Sequence, residues 1–212
     1  TVVTGAPGSG NTTLILESLV PALESVLRQT KLPEHIRSVE TGGIRQVKLI
    51  DATPIGINVR STVATYANVH DELRKIFAKT PDAKQAGYKA GDFSYNTGRL
   101  RCPVCDGTGV ISLDVQFLPD VEIPCPECRG SRYGKEAGKI RYTTPEGSAY
   151  SLPDYMSMDV NTALKACESM KTVPQRLKVL QDLGLGYLTL GEETPSLSGG
   201  EAQRIRLATQ IG

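Results

Sequence analysis

The chain has 212 residues, enough for one large domain or two small ones, with 24 Lys+Arg against 23 Asp+Glu and a net charge of +1. That balance argues neither for nor against a nucleic-acid partner, and it requires any such contact to be local. No apolar run reaches membrane-spanning length and no charged-then-apolar leader opens the chain, so a soluble, cytoplasmic protein without a membrane partner is expected.

In chain order, the β-branched Val2-Val3-Thr4 predicts a short strand, and a glycine-rich stretch follows it directly. Thr12 to Arg28 then places Leu16, Leu19, Leu23 and Val26 at helical spacing, giving the order strand, glycine loop, helix. Gln46 to Ile50 predicts a second short strand, broken by Pro54-Ile55-Gly56. A helix over about Asn68 to Ala78 carries Val69, Leu73, Ile76 and Phe77 on one face, and residues 80–101 read as loop. Between Cys102 and Cys128, alternating Ile111, Leu113, Val115 and Phe117 predict a hairpin around Pro119-Asp120. A polar, basic stretch runs to about Tyr142. Ser157 is expected to cap a helix with Val160, Leu164 and Cys167 on its inner face. Pro174 starts another, with Leu177, Leu180 and Leu183, which Gly184 ends; a last helix begins near Gly200. With no Trp and 3 Phe, the core is expected to rely on Leu, Val, Ile and Ala.

Three motifs carry chemistry. Gly5-Ala6-Pro7-Gly8-Ser9-Gly10-Asn11-Thr12-Thr13 has the spacing of a phosphate loop, with Asn11 where lysine belongs. Its glycines let successive N–H groups converge on phosphate oxygens at a helix N-terminus, and Thr12 is placed to ligate Mg²⁺. What is missing is the ammonium group on the terminal phosphates.

The second motif is a doubled cysteine pair, Cys102-Pro-Val-Cys105 and Cys125-Pro-Glu-Cys128, with 19 residues between the pairs. That spacing suits tetrahedral zinc, and four thiolates fill its coordination shell, so the site is expected to be structural. Gly107 and Gly130, two residues past each pair, allow turns whose N–H groups face the sulfurs. Disulfides or a redox dithiol are the rival readings. The fifth cysteine, Cys167, reads as a small buried apolar residue on its helix.

The third is Leu197-Ser198-Gly199-Gly200-Glu201-Ala202-Gln203-Arg204: a serine and two glycines ahead of a helix, an anion site with a hydroxyl donor. It is similar to the signature sequence of ATP-binding cassette ATPases. Together with the phosphate loop and the cysteine unit between them, the chain resembles the second cassette of the UvrA family of excinuclease proteins. Further strings support the resemblance: Arg60-Ser61, Ala64-Thr65-Tyr66, Gly87-Tyr88-Lys89, Phe93-Ser94-Tyr95-Asn96, Phe117-Leu118-Pro119-Asp120-Val121 and Gly184-Leu185-Gly186-Tyr187. A zinc chaperone module like that of DnaJ is rejected, because it needs four cysteine repeats and has no signature string.

The resemblance implies an α/β fold: an incomplete P-loop NTPase with an inserted helical domain and a zinc-bound β-hairpin module. Residues 1–50 would begin the nucleotide-binding domain. Residues 51–101 and 131–170 would form the inserted signature domain, 102–130 the zinc module, and 171–212 the return with the signature helix. It further implies ATP or ADP with Mg²⁺ at Gly5, Gly8, Ser9, Gly10, Asn11, Thr12 and Thr13. Leu197, Ser198, Gly199, Gly200 and Glu201 would serve the opposite site of a homodimer. Zn²⁺ would sit on Cys102, Cys105, Cys125 and Cys128. Double-stranded damaged DNA and a UvrB-like protein would be the partners, in nucleotide excision repair. Candidate DNA contacts are Arg99, Arg101, Arg129, Arg132, Lys135, Lys139 and Arg141, whose phosphate contacts would position DNA without reading sequence.

Departures temper the expected activity. Besides Asn11, Ala52 stands where the family usually has a Mg²⁺-coordinating glutamine, and Asp92 where it usually has arginine. No catalytic residue is expected within the chain, since the Walker B acidic pair would lie beyond Gly212; the segment alone is not expected to hydrolyse ATP. The alternative is a catalytically impaired paralogue that binds DNA or a partner, serving drug self-resistance.

Overall fold

The computed structural model describes residues 2–50, 55, 58–113 and 121–211. The chain divides into two compact units, Thr1–Asp51 and Ala52–Gly212.

In the first unit the segment behind the glycine loop is helical, but not uniformly wound. It runs from α1 (Asn11–Thr13) through a π-helical stretch, Leu14–Leu19, into α2 (Val20–Leu27). The winding changes at Pro21, which has no N–H to donate to the preceding turn. Ala22 and Leu23 are buried, whereas Leu16, Leu19 and Val26 remain exposed. Neither expected strand forms among the described residues: 2–4 and 46–50 carry no ladder. β-propensity states a preference for a paired surface, and no described segment of this unit pairs with them.

The second unit opens with α3 (Val63–Tyr66), whose first turn is closed by reciprocal bonds between Thr62 and Thr65. Next comes α4 (Val69–Phe77), the helix expected over 68–78. Residues 80–101 contain more order than expected. Thr80 caps α5 (Pro81–Ala86), left-handed Gly87 ends it, and a 3₁₀ turn covers Ala90–Phe93. Short capped helices of this kind lack the apolar period that reveals longer ones. Strands β1 (Val110–Leu113) and β2 (Val121–Pro124) pair antiparallel, with Ile111 opposite Ile123. The expected turn at Pro119-Asp120, and with it Val115 and Phe117, lies outside the described residues, as does Ala52. A second antiparallel pair, β3 (Arg141–Thr143) and β4 (Ala149–Ser151), leads into α6 (Leu152–Ser157).

Helices α7 (Val160–Ala166), α8 (Val173–Asp182) and α9 (Gly199–Ile211) complete the unit. The cap of α7 is Asp159, which accepts from Thr162 N at 2.8 Å; the expected cap, Ser157, instead closes α6 by donating to the Asp154 carbonyl. Pro174 lies in the first turn of α8 and Gly184, at φ 72°, follows its end. Among the described residues, no helix is long and apolar enough to cross a membrane.

The core of this unit is built mainly of Leu, Val, Ile and Ala, as expected, around a few large aromatic side chains. Its largest fully buried side chains are Tyr95, Tyr155, Phe77 and Phe93, with Leu73, Leu152, Leu177 and Leu180 around them. The Phe77 ring lies 5.9 Å from both Phe93 and Tyr155, so these rings meet at the centre of the core. Cys167 is buried there too, as expected.

Candidate functional site

The two cysteine pairs fold as copies of one turn. After each second cysteine the chain enters the left-handed region twice in succession: Asp106 and Gly107 at φ 51° and 79°, Arg129 and Gly130 at 52° and 87°. The turns are also joined reciprocally. Cys102 N donates to the Arg132 carbonyl and Cys125 N to the Gly109 carbonyl, both at 2.9 Å. Glycine is needed at 107, where a Cβ would lie 1.7 Å from the Tyr95 carbonyl oxygen. Gly109 in the first turn corresponds to Arg132 in the second. Both are left-handed, at φ 82° and 71°. For arginine this conformation costs about 1–2 kcal/mol, so the surroundings must hold it.

This folding brings all four sulfurs within 4.8 Å of one another. Cys102 and Cys125 are 3.9 Å apart, Cys105 and Cys128 3.6 Å. Four thiolates around one tetrahedral Zn²⁺, each bonded at about 2.3 Å, stand about 3.8 Å from each other. The cluster therefore fits the ion in number, kind and spacing of donors. Its electrostatics agree. Burial, the largest influence on both, pushes Cys102 up and Cys128 up to about 12. At Cys105 the Gly109 N–H, 3.3 Å from the sulfur, and the neighbouring thiols outweigh burial and bring it down to about 7. A pocket that resists several negative charges of its own is completed by a divalent cation.

Three arginines grip the first turn from outside. Arg60 donates to the Asp106 carbonyl at 3.0 Å, Arg101 meets the Asp106 carboxylate at 2.9 Å, and Arg132 reaches the Gly107 carbonyl at 3.4 Å. Arg132 is thus not a free cation. Its side chain is 3% exposed and paired with Glu193 at 2.8 Å, which removes it from the candidate DNA contacts. Arg99 is exposed, yet its Nε and one terminal nitrogen donate to Asp92 at 2.7 and 3.1 Å, the latter also to the Gly87 carbonyl at 3.2 Å, and its guanidinium stacks over Tyr88. That pairing holds the Asp92 carboxyl below its usual range and gives the residue a local partner. Lys135 pairs with Glu127 and Lys139 with Glu136, both near the surface. Such exposed pairs contribute about 0–1 kcal/mol and exchange readily for a phosphate. Arg129 and Arg141 are exposed.

The two candidate phosphate-binding turns belong to different units. In the first, Ser9 N closes the loop on the Ala6 carbonyl at 3.0 Å, and Gly8 and Gly10 are left-handed, at φ 81° and 82°. The Asn11 amide and the Ser9 hydroxyl fold back over Gly5; a Cβ there would lie 2.6 and 2.5 Å from them. In the second, Ser198 caps α9 with a reciprocal box: Glu201 accepts from the Ser198 N–H at 2.7 Å and from its hydroxyl at 2.8 Å. The Tyr187 hydroxyl donates to the other Glu201 oxygen, and these bonds hold the carboxyl below its usual range. Gly199 and Gly200 face open space, with no atom within 4 Å of where a Cβ would stand. Tyr187, Glu193 and Arg60 take part in these arrangements without having been singled out for them by the sequence. The only signal was their place inside the strings shared with the resembled family, or beside the signature.

No protein-family model matches the chain. Curated proteins do. It is 42% identical over 212 residues to UvrABC system protein A of Synechocystis sp., 41% over 214 residues to that of Thermus thermophilus, and 41% over 213 residues to that of Bacillus subtilis. These alignments take in 99–100% of this chain and 21–22% of each relative, so the chain spans about a fifth of their length. Among solved structures, UvrA2 from Deinococcus radiodurans superposes with a TM-score of 0.82 and 37% identity, over 98% of this chain and 24% of that one. Sequence and fold thus make the whole of this chain a relative of one segment of UvrA.

Proposed function

We propose that the chain works within an ATP-binding cassette DNA-repair protein of the UvrA type, which recognises damaged duplex DNA in nucleotide excision repair. The observation that carries this reading is the similarity to UvrABC system protein A along the entire chain. In it, residues 1–50 begin a nucleotide-binding domain and 171–212 return to it. Residues 51–101 and 131–170 form the inserted domain around the zinc module at 102–130.

The residues divide the work. The backbone N–H groups of Gly5 to Thr13 face nucleotide phosphates, Thr12 supplies a hydroxyl for Mg²⁺, and Asn11 contributes an uncharged amide where an ammonium would bind more strongly. Ser198, Gly199 and Gly200 present an open helix N-terminus to the nucleotide of the opposite site in a homodimer. Cys102, Cys105, Cys125 and Cys128 hold zinc, which when bound neutralises the thiolates and clamps the two turns together. Arg129, Lys135, Lys139 and Arg141 offer charge to the DNA backbone beside that clamp, and a UvrB-like protein receives the damaged site.

A second reading, favoured by Asn11, is a paralogue impaired in turnover that binds DNA or a partner, as in drug self-resistance. The full-length protein, ATP and lesion-bearing duplex separate the two. Turnover that changes on adding the duplex is expected from the first, whereas DNA binding with no measurable turnover sinks it in favour of the second.

A further inference from the structure

Arg132 is the residue whose surroundings differ most from those of a solvated cation. It stands where the matching turn has glycine, in a backbone conformation that favours glycine, and its side chain reaches in several directions. One terminal nitrogen donates to the Gly107 carbonyl in the first turn at 3.4 Å, the other to Glu193 Oε1 at 2.8 Å. The guanidinium lies over the Tyr95 ring, 5.2 Å from its centroid, and the Arg132 carbonyl accepts from Cys102 N. One residue therefore touches both cysteine turns and the segment that leads to Ser198.

That segment is also held against the start of α3. Glu193 bridges Thr62 through its backbone, and Thr194 N donates to the Ser61 carbonyl at 2.9 Å. Ser196 N and Leu197 N fold back on the carbonyls of Glu193 and Thr194, at 3.1 and 3.3 Å, and deliver the chain to Ser198. On the far side, Arg60 donates to Asp106 while its own carbonyl accepts from the Tyr95 hydroxyl at 3.0 Å. The polar contacts run from the cysteine turns to Leu197, the residue before Ser198.

We propose that Arg132 and Glu193 are a positioning pair, through which the order of the Ser198–Glu201 turn depends on whether the four cysteines hold their metal. The cysteine unit has a small core of its own, Cys102, Cys105 and Cys125 with Ile111 and Cys128 packed against it. Without the metal the two turns lose the crosslink through their sulfurs, and the second turn is then free to leave its left-handed conformation. Arg132 moves with it and withdraws from Glu193, whose carboxylate turns to water and releases the residues between Thr194 and Ser198. Metal occupancy in this way sets the readiness of the nucleotide-facing turn. The consequence for nucleotide rests on the function proposed above; the coupling itself does not.

The test uses the full-length protein without nucleotide, zinc-loaded or stripped with a chelator under reducing conditions, and reads hydrogen–deuterium exchange by mass spectrometry. In the wild type, stripping is expected to speed exchange at residues 194–202 about 10-fold or more, while α4 and α7 change less than about twofold. In Glu193→Ala, with zinc content unchanged, the same amides are expected to exchange at the stripped rate while zinc is still bound, and stripping adds nothing. Glu193→Gln, isosteric and uncharged, is expected to fall between the two. Exchange at 194–202 that ignores zinc in the wild type overturns the proposal. So does a full zinc response in Glu193→Ala, or a rise that spreads equally to α4 and α7. Intact coupling alongside ATP turnover that never responds to DNA would defeat the functional reading alone.

Discussion

Lowering the pH should destabilise the second unit through one histidine. His70 is 3% exposed on α4, its ring 4.8 Å from that of Tyr95. The Tyr133 hydroxyl donates to the Phe93 carbonyl at 2.9 Å, so it accepts at 2.7 Å from His70 Nε2, which fixes the neutral tautomer with its proton there. Burial, then the charges of Arg74 and Arg132, pull the imidazole down to about 3. In the unfolded chain it titrates at its ordinary value near 6.5. Between those values the unfolded state binds a proton that the native state refuses, so stability falls as pH falls, and above about 6.5 the contribution is constant. Each pH unit within the window is worth about 1.4 kcal/mol, and going from pH 7 to pH 5 removes about 2 kcal/mol. Urea unfolding at both pH values, for the wild type and for His70→Gln, reads this directly. Glutamine can present a donor to Tyr133 without titrating, and protonation of the cysteines affects both proteins alike. The wild type is expected to lose about 2 kcal/mol more than the variant over this interval; equal losses would refute the assignment of a neutral, proton-refusing histidine.

Four further outcomes are expected. Leu177→Ala, which empties space beneath a fully buried side chain on α8, should cost about 2–5 kcal/mol in urea unfolding with little change in slope. Cys125→Ser should abolish the zinc retained through dialysis, as measured by metal analysis, because three thiolates leave the tetrahedral shell open. Asn11→Lys should tighten ATP binding to the full-length protein by about 10- to 150-fold in equilibrium titration, the effect of restoring charge-assisted bonds of about 1.5–3 kcal/mol. Replacing Arg129, Lys139 and Arg141 with alanine should flatten the salt dependence of duplex binding by about 0.9 in log–log slope for each phosphate no longer neutralised, while Arg99→Ala, already bound to Asp92, should change it little.

What the sequence made legible followed from local rules. The cysteine spacing translated into a converged cluster because a tight turn between paired thiols leaves little freedom, and the same left-handed step at Asp106-Gly107 and Arg129-Gly130 repeats it. The serine ahead of Gly199-Gly200 translated into a capped helix because Glu201, three residues on, completes a reciprocal box. Helix α4 was legible from its apolar spacing. The strands expected at Val2–Thr4 and Gln46–Ile50 were not settled by the same kind of reasoning, since a strand is a property of two segments and the preference of either is only half of it. Short helices such as α5 escaped because capping by Thr80 and Gly87, and not a buried stripe, defines them.

The basic residues mark the deeper limit. Counted along the chain, Arg132 and Arg129 are equivalent, three residues apart beside the same cysteine. In the fold one is exposed and the other is enclosed between Tyr95, Gly107 and Glu193. The partner that makes the difference lies 61 residues downstream, next to the signature turn. Truncating a buried, paired arginine leaves its carboxylate partner uncompensated, whereas truncating an exposed one removes little more than a local charge. Charge in a sequence therefore reports how many cations a region owns. Which of them are available to a phosphate is decided by carboxylates near and far along the chain: Asp92 takes Arg99 from seven residues away, and Glu193 takes Arg132 from 61.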